Sequence, residues 1–156
     1  MKAKLGSLVV GVLAGAALLA IPWESISEAG TGPATIRITN REVKVTRVDI
    51  GPQGTSPGDV EVLRQLLFNR RVTSRAIGRV ELVCTFVDSR RARVCRGTYF
   101  LPRGKLVVGG SLRFFQFYDM AVVGGTGLYD NARGTLTITR ASRSPVRNVV
   151  LFKLVG

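Results

Sequence analysis

The sequence predicts an all-β domain, a closed barrel or a two-sheet sandwich of eight or nine short strands. Three observations carry this. Apolar and polar residues alternate through most of residues 34–155, the period of a strand with one buried face. Eighteen glycines and six prolines are spread between short apolar runs, where they make turns. After residue 33 no segment repeats its apolar positions at helical spacing. Many short strands with regular turn signals fold into barrels or sandwiches.

The chain opens on a segment of another kind. Lys2 and Lys4 precede an uncharged apolar stretch from Leu5 to Ala20. It is shorter than the roughly 20 residues of a membrane span and suits the apolar region of an export signal. Residues 1–29 therefore read as a signal peptide, cut after Ala20 or Ala29, or as an uncleaved N-terminal anchor. Either reading makes the protein secreted or extracytoplasmic. Residues 30–34 are a linker, and residues 35–156 form the barrel domain.

The strands follow in order. Residues 34–39 and 42–50 alternate Ile36 and Ile38, then Val43 and Val45, with polar neighbours, and Asn40–Arg41 breaks them. The Gly/Pro-rich stretch 51–58 is a loop. In residues 59–68, Val60 and Val62 alternate with Asp59 and Glu61, although 63–68 also fits a helical turn. A polar and basic loop leads to 79–88, which a turn at Ser89–Arg90 joins to 92–101. Pro102–Gly104 turns into 105–109, Gly109–Gly110 reads as a bulge, and 111–123 carries Phe114, Phe115, Phe117 and Tyr118. The glycines of 124–127 turn the chain, and 134–140 and 146–155 complete it.

The turn at Ser89–Arg90 sets Cys84 directly opposite Cys95. Facing residues of an antiparallel ladder lie about 4.5–5.5 Å apart, within disulfide reach. A Cys84–Cys95 bridge is the expected outcome in an exported protein, and two buried thiols are the alternative. With two cysteines, no histidine and no Cys-x-x-Cys spacing, no metal site is expected. The sequence carries no cofactor motif, and Gly124–Gly127 lacks the Lys-Ser/Thr of a phosphate loop.

Without histidine, Ser–His and Cys–His nucleophilic machinery is excluded. Carboxylates remain: Glu42, Asp49, Asp59, Glu61, Glu81, Asp88, Asp119 and Asp130. One facing an apolar interior would have its pKa raised and serve as acid or base. Asp49 and Asp59 flank the 51–58 loop. They are catalytic candidates at a barrel mouth, or loop caps bonded to backbone N–H groups. Phe115 and Phe117 either fill the core or line a pocket for an apolar small molecule.

The formal net charge is +13. Residues 1–29 carry two lysines and two glutamates, so the barrel domain keeps the whole excess. Its basic residues occur singly or in pairs along strands, the pattern of a solvated outer face rather than a nucleic-acid groove. An anionic cell-envelope polymer is the polyanion that fits an exported chain. A homo-oligomer is compatible with the same pattern.

Several stretches occur in a characteristic order: Asp49-Ile-Gly51, Gly54-Thr-Ser56-Pro-Gly58-Asp59, Leu67-Phe68-Asn69, Val83-Cys84-Thr85 and Arg96-Gly97-Thr98-Tyr99-Phe100. Ala121-Val-Val-Gly-Gly-Thr-Gly-Leu-Tyr129 then runs on to Ala132-Arg-Gly134-Thr135. Over residues 35–155 the chain resembles the bacterial secreted branch of the allene oxide cyclase and dirigent superfamily. That resemblance implies an eight-stranded antiparallel β-barrel with a largely apolar interior. It implies an isomerase or cyclase, if an enzyme, that holds a flexible reactive molecule in one conformation. Gln65 falls where the plant cyclases hold a water with an asparagine, and Cys84 where they carry a cysteine near the pocket. Their first-strand glutamate finds no match among residues 36–50, which argues against transferring their reaction. An interior cavity of at least roughly 300 Å³, lined by phenylalanines and a buried carboxylate, would favour ligand binding over a plugged barrel.

Overall fold

The computed structural model describes residues 33–69, 75–113 and 116–155. The expected signal or anchor at 1–29, most of the linker, and Phe115 lie outside them. Eight strands form a closed barrel: β1 (Ala34–Val48), β2 (Val60–Phe68), β3 (Gly78–Phe86), β4 (Arg93–Leu101), β5 (Gly104–Leu112), β6 (Phe117–Gly127), β7 (Arg133–Arg143) and β8 (Val146–Val155). Each is antiparallel to the next, and β8 returns to β1. Eight strands enclose an interior just wide enough for side chains or one small ligand.

The alternation in the sequence decides which side chains fill that interior. Leu63, Gln65 and Leu67 of β2, Val80, Leu82, Cys84 and Phe86 of β3, and Val150, Phe152 and Leu154 of β8 are all buried. Inside the barrel Tyr99 meets Phe152 edge-to-face, with ring centroids 5.0 Å apart. Gly97 faces inward on β4 opposite Leu82, and a Cβ there would overlap the Leu82 side chain and the Glu81 carbonyl. Its bare Cα lets Leu82 lie across the barrel.

The cysteine hairpin folds as its turn and spacing predict. Cys84 and Cys95 face each other in the β3–β4 register and are joined by a disulfide, Cα to Cα 4.0 Å, buried in the core.

Elsewhere the strands differ from the expected breaks. Asn40–Arg41 does not interrupt β1, because Asn40 turns its amide into the barrel and finds partners there. The irregularity comes slightly later, where the β2 register shifts between Glu42 and Lys44. Residues 63–68 are strand, not a helical turn. Gly109 and Gly110 stay in register with β4, and the shift falls between Val107 and Val108, leaving Val123 of β6 as the extra residue. The glycines of 124–127 belong to the end of β6, and the turn follows at 128–131. Gly125 is needed there because a Cβ would strike the Tyr129 carbonyl. Close approach of two backbones, not a turn, explains that glycine.

Candidate functional site

The barrel has two unlike ends. The end reached by the β1–β2, β3–β4, β5–β6 and β7–β8 connections is polar inside. Glu42 and Asn40 of β1, Glu61 and Gln65 of β2, Arg93 of β4, Tyr118 of β6, Arg140 of β7 and Asn148 of β8 converge there. Each sits at the inward parity of its strand, as the ladder partners Glu42 with Gln65, Tyr118 with Ile138 and Asn40 with Asn148 indicate.

Glu61 and Arg93 form a buried ion pair. Arg47, opposite Glu61 in the ladder, reaches its other carboxylate oxygen at 3.3 Å. Both guanidiniums lie near the Phe86 ring, at 5.1 Å for Arg47 and 5.7 Å for Arg93. A buried carboxylate is tolerable only when paired in this way, because the charge would otherwise lose its hydration uncompensated.

A chain of side-chain amides runs beside this pair across four strands. Arg140 Nε donates to Asn148 Oδ1 at 2.9 Å, and Asn148 Nδ2 donates to Asn40 Oδ1 at 2.8 Å. The Asn148 backbone N–H donates to the same oxygen at 3.1 Å, and Asn40 Nδ2 donates to Gln65 Oε1 at 2.6 Å. Asn40, Gln65 and Asn148 are buried, so their polar atoms depend on one another. The chain fixes where Arg140 stands. Gln65, at the position that matches the plant cyclases' asparagine, is the last acceptor of this relay.

Two further groups complete the cluster. Burial raises the Glu42 carboxyl above its ordinary pKa, and neighbouring Glu61 adds to the rise, against Arg140 and Arg93. Burial likewise raises the Tyr118 phenol, opposed by Arg93 and Arg140 and supported by Glu42. Tyr99, deeper and fully buried, is pushed well above the ordinary range, first by burial and then by Tyr118. Its hydroxyl has no hydrogen-bond partner among the described residues. One barrel end thus holds a carboxyl and two phenols whose pKa values burial raises, beside the guanidiniums of Arg93 and Arg140. Arg140 also lines a cavity of about 260 Å³ at the mouth, with Gln116, Ala141, Ser142 and Arg143. The cluster can be approached from that side.

The other residues singled out in the sequence lie apart from this cluster. Asp59 is buried beneath the 51–58 loop and accepts hydrogen bonds from the Ile50 and Ser56 N–H groups and the Ser56 hydroxyl. Those bonds, the one from Ile50 first, hold its carboxyl below the usual range. Asp49 is exposed and accepts from the Gly54 N–H at 3.3 Å. Both carboxylates therefore bond the loop backbone. Phe117 is 55% exposed, because its neighbour Tyr118 takes the inward position on β6. It does not line the interior.

A cavity of about 530 Å³ opens at the opposite barrel end and has neither a phenylalanine nor a carboxylate in its lining. Glu42, Glu61, Arg93, Tyr118 and Arg140 were not picked out as a group in the sequence. The available signal was parity: Glu61 shares it with buried Leu63 and Leu67, Arg93 with Cys95 and Tyr99, and Arg140 with Leu136 and Ile138.

No protein-family model and no curated protein matches the chain. Solved structures do. A pyocyanin demethylase superposes with a TM-score of 0.67 at 23% identity, covering 78% of this chain and 100% of that one. A pterocarpan synthase dirigent protein gives 0.64 at 15% identity, over 81% of this chain and 98% of that one. A Diels-Alderase from Streptomyces koyangensis gives 0.60 at 14% identity, over 79% and 69%. The fold is that of dirigent- and cyclase-type eight-stranded barrels.

Proposed function

We propose that this barrel binds a flexible, mainly apolar small molecule at its polar end and steers the molecule's cyclisation or isomerisation. The observation that carries this reading is the convergence of Glu42, Tyr118, Arg93 and Arg140 inside one barrel end. A carboxyl with a raised pKa trades protons with carbon or oxygen acids more evenly than an ordinary one. Fixed phenol and guanidinium donors stabilise an oxyanion as it develops, without reorganising. A substrate with one carbonyl or hydroxyl oxygen on an apolar skeleton uses both features. The unpartnered Tyr99 hydroxyl supplies a further donor at the bottom of the site. Similar barrels named for dirigent and Diels-Alderase activity support a role in restraining a reactive conformer. The buried disulfide supports an oxidising, extracytoplasmic setting.

Mass spectrometry of small molecules that co-purify with the full chain tests this, followed by a thermal-shift screen of polyketides and unsaturated lipids. The expected result is a saturable shift with an oxygen-bearing apolar compound, weakened in Glu42→Gln and Tyr118→Phe. No bound molecule and no shift across the panel, or shifts indifferent to both substitutions, overturns the reading.

A second reading, association with an anionic envelope polymer, rests on one wall of the barrel. Arg41 faces Arg147 and Lys44 faces Arg64 on neighbouring strands. The carboxylates of β1 and β2, Glu42 and Glu61, turn inward, and β8 has none. Like charges placed opposite one another repel, and a polyanion would relieve them. Binding to teichoic acid or heparin that disappears on reversing Lys44 and Arg64 supports it, and salt-independent or absent binding refutes it.

A further inference from the structure

We infer a second ligand site, for a single-chain fatty carboxylate, at the barrel end opposite the polar cluster. Its cavity of about 530 Å³ falls within the roughly 300–1,000 Å³ range of small-molecule sites. The cavity lies where β1 begins and β8 ends, between the β4–β5 turn and the turn after β6. Its floor is hydrocarbon: Ile36, Ile38, Ile77, Leu101 and Leu154. The charges in its lining are two arginines, Arg103 in the β4–β5 turn and Arg37, exposed at the outward parity of β1. Neither makes an ion pair among the described residues, and no carboxylate lines the cavity.

Apolar walls and uncompensated cations at one opening call for a ligand that carries an apolar body and a negative head. The apolar chain gains by leaving water, and a carboxylate takes the planar fork of a guanidinium in two hydrogen bonds. Charge decides between the ends. A carboxylate ligand in the polar half would meet Glu42 and Glu61 beside the arginines there, whereas the lining here carries arginines and no carboxylate. The two sites are separated by the packed layer of Tyr99, Phe152 and their neighbours. This site does not depend on the function proposed for the other end.

Laurate is the probe, titrated below its micellar concentration into the full chain by displacement of a fluorescent fatty acid. One saturable site is expected, with the charge reversals Arg37→Glu and Arg103→Glu together weakening it at least tenfold. Dodecanol, which lacks the charge, should bind at least tenfold more weakly than laurate and be indifferent to the reversals. Two controls fix the location and the cause. Ala141→Trp, at the mouth of the polar end, should leave laurate affinity within twofold. Reversing Lys44 and Arg64 on the outer wall, an equal change in net charge, should do the same. The inference is overturned if laurate fails to saturate, or if the Arg37 and Arg103 reversals leave its affinity unchanged. It also falls if Ala141→Trp abolishes binding or the outer-wall reversal weakens it equally.

Discussion

Replacing both bridged cysteines, Cys84→Ala with Cys95→Ala, is the perturbation with the most direct magnitude. The bridge closes a loop of sequence separation 11. On the chain-entropy model a loop that short removes about 3 kcal/mol of disorder from the unfolded chain. Unfolding entropy of about 2.1 cal/mol/K per residue, over a barrel of roughly 120 residues, makes 1 kcal/mol worth about 4 °C. The double variant should therefore melt about 12 °C lower. Wild type unfolded and refolded with a reductant should melt within a few degrees of it, because the β3–β4 ladder already holds the two positions face to face in the native state. Differential scanning calorimetry measures both, alongside alkylation of the denatured, unreduced protein. A loss below about 4 °C, a third of the loop-closure value, refutes the entropic account. Two labelled thiols in the unreduced protein refute the bridge itself.

Three further substitutions probe the interior. Asn40→Leu deprives buried Gln65 Oε1 and the Asn148 N–H groups of partners, and each orphaned group costs about 1–3 kcal/mol, so urea unfolding should show at least about 2 kcal/mol lost. A loss under about 0.5 kcal/mol, the scale of an ordinary surface substitution, would mean the relay is not holding the strands. Because folding raises the Glu42 pKa, the native state carries no penalty from this group below the ordinary carboxylate range, and gains one as pH climbs through the folded value. Glu42→Gln should thus stabilise the barrel at pH 7 relative to wild type and lose that advantage near pH 4. Thermal melts at the two pH values check this, and an equal effect at both would contradict the burial of the charge. Gly97→Ala forces Leu82 and the Glu81 backbone aside and should cost about 1–3 kcal/mol by denaturant melts. A neutral outcome would show that the barrel wall yields there.

The parts of the fold that were legible in the sequence are those set by local chemistry. Ser89–Arg90 makes a short turn, period two fixes the strands on both sides, and the Cys84–Cys95 register follows from those two facts. The last strand, 146–155, keeps the bounds expected from the sequence. What was not legible depended on distant chain. Asn40 looks like a strand breaker until Asn148, 108 residues away, supplies its partner. The glycines of 124–127 look like a turn because the sequence does not show the Tyr129 carbonyl pressed against Gly125.

The site was hidden for a related reason. Parity assigns a charged residue to the interior only if the register is continuous, and β1 changes register just after Glu42. Before that shift even-numbered residues turn inward; after it Arg47, an odd one, stands opposite Glu61. No pattern of residue types marks where such a shift falls. Glu42 consequently reads as one carboxylate among eight, and the inward group on the first strand goes unnoticed. Asp49 and Asp59 drew attention because a Gly/Pro loop lies between them. Loop anchoring accounts for that setting equally well, and their bonds to backbone N–H groups are of that kind.

Closure of the barrel has a practical outcome for handling the protein. Ala34 at the start of β1 pairs with Leu154 near the end of β8, so the two extremities of the domain emerge side by side. Both leave from the rim beside Arg37 and Leu154, far from Glu42 and Arg140. A tether, tag or surface attached to either extremity grips the barrel by the same end and presents the opposite mouth to solution. Sensor chips and resins loaded through a terminal tag would therefore display the polar site in one orientation while crowding the arginine-rimmed cavity. A ligand of that cavity is best measured in free solution, and a ligand of the polar mouth can be screened on the surface.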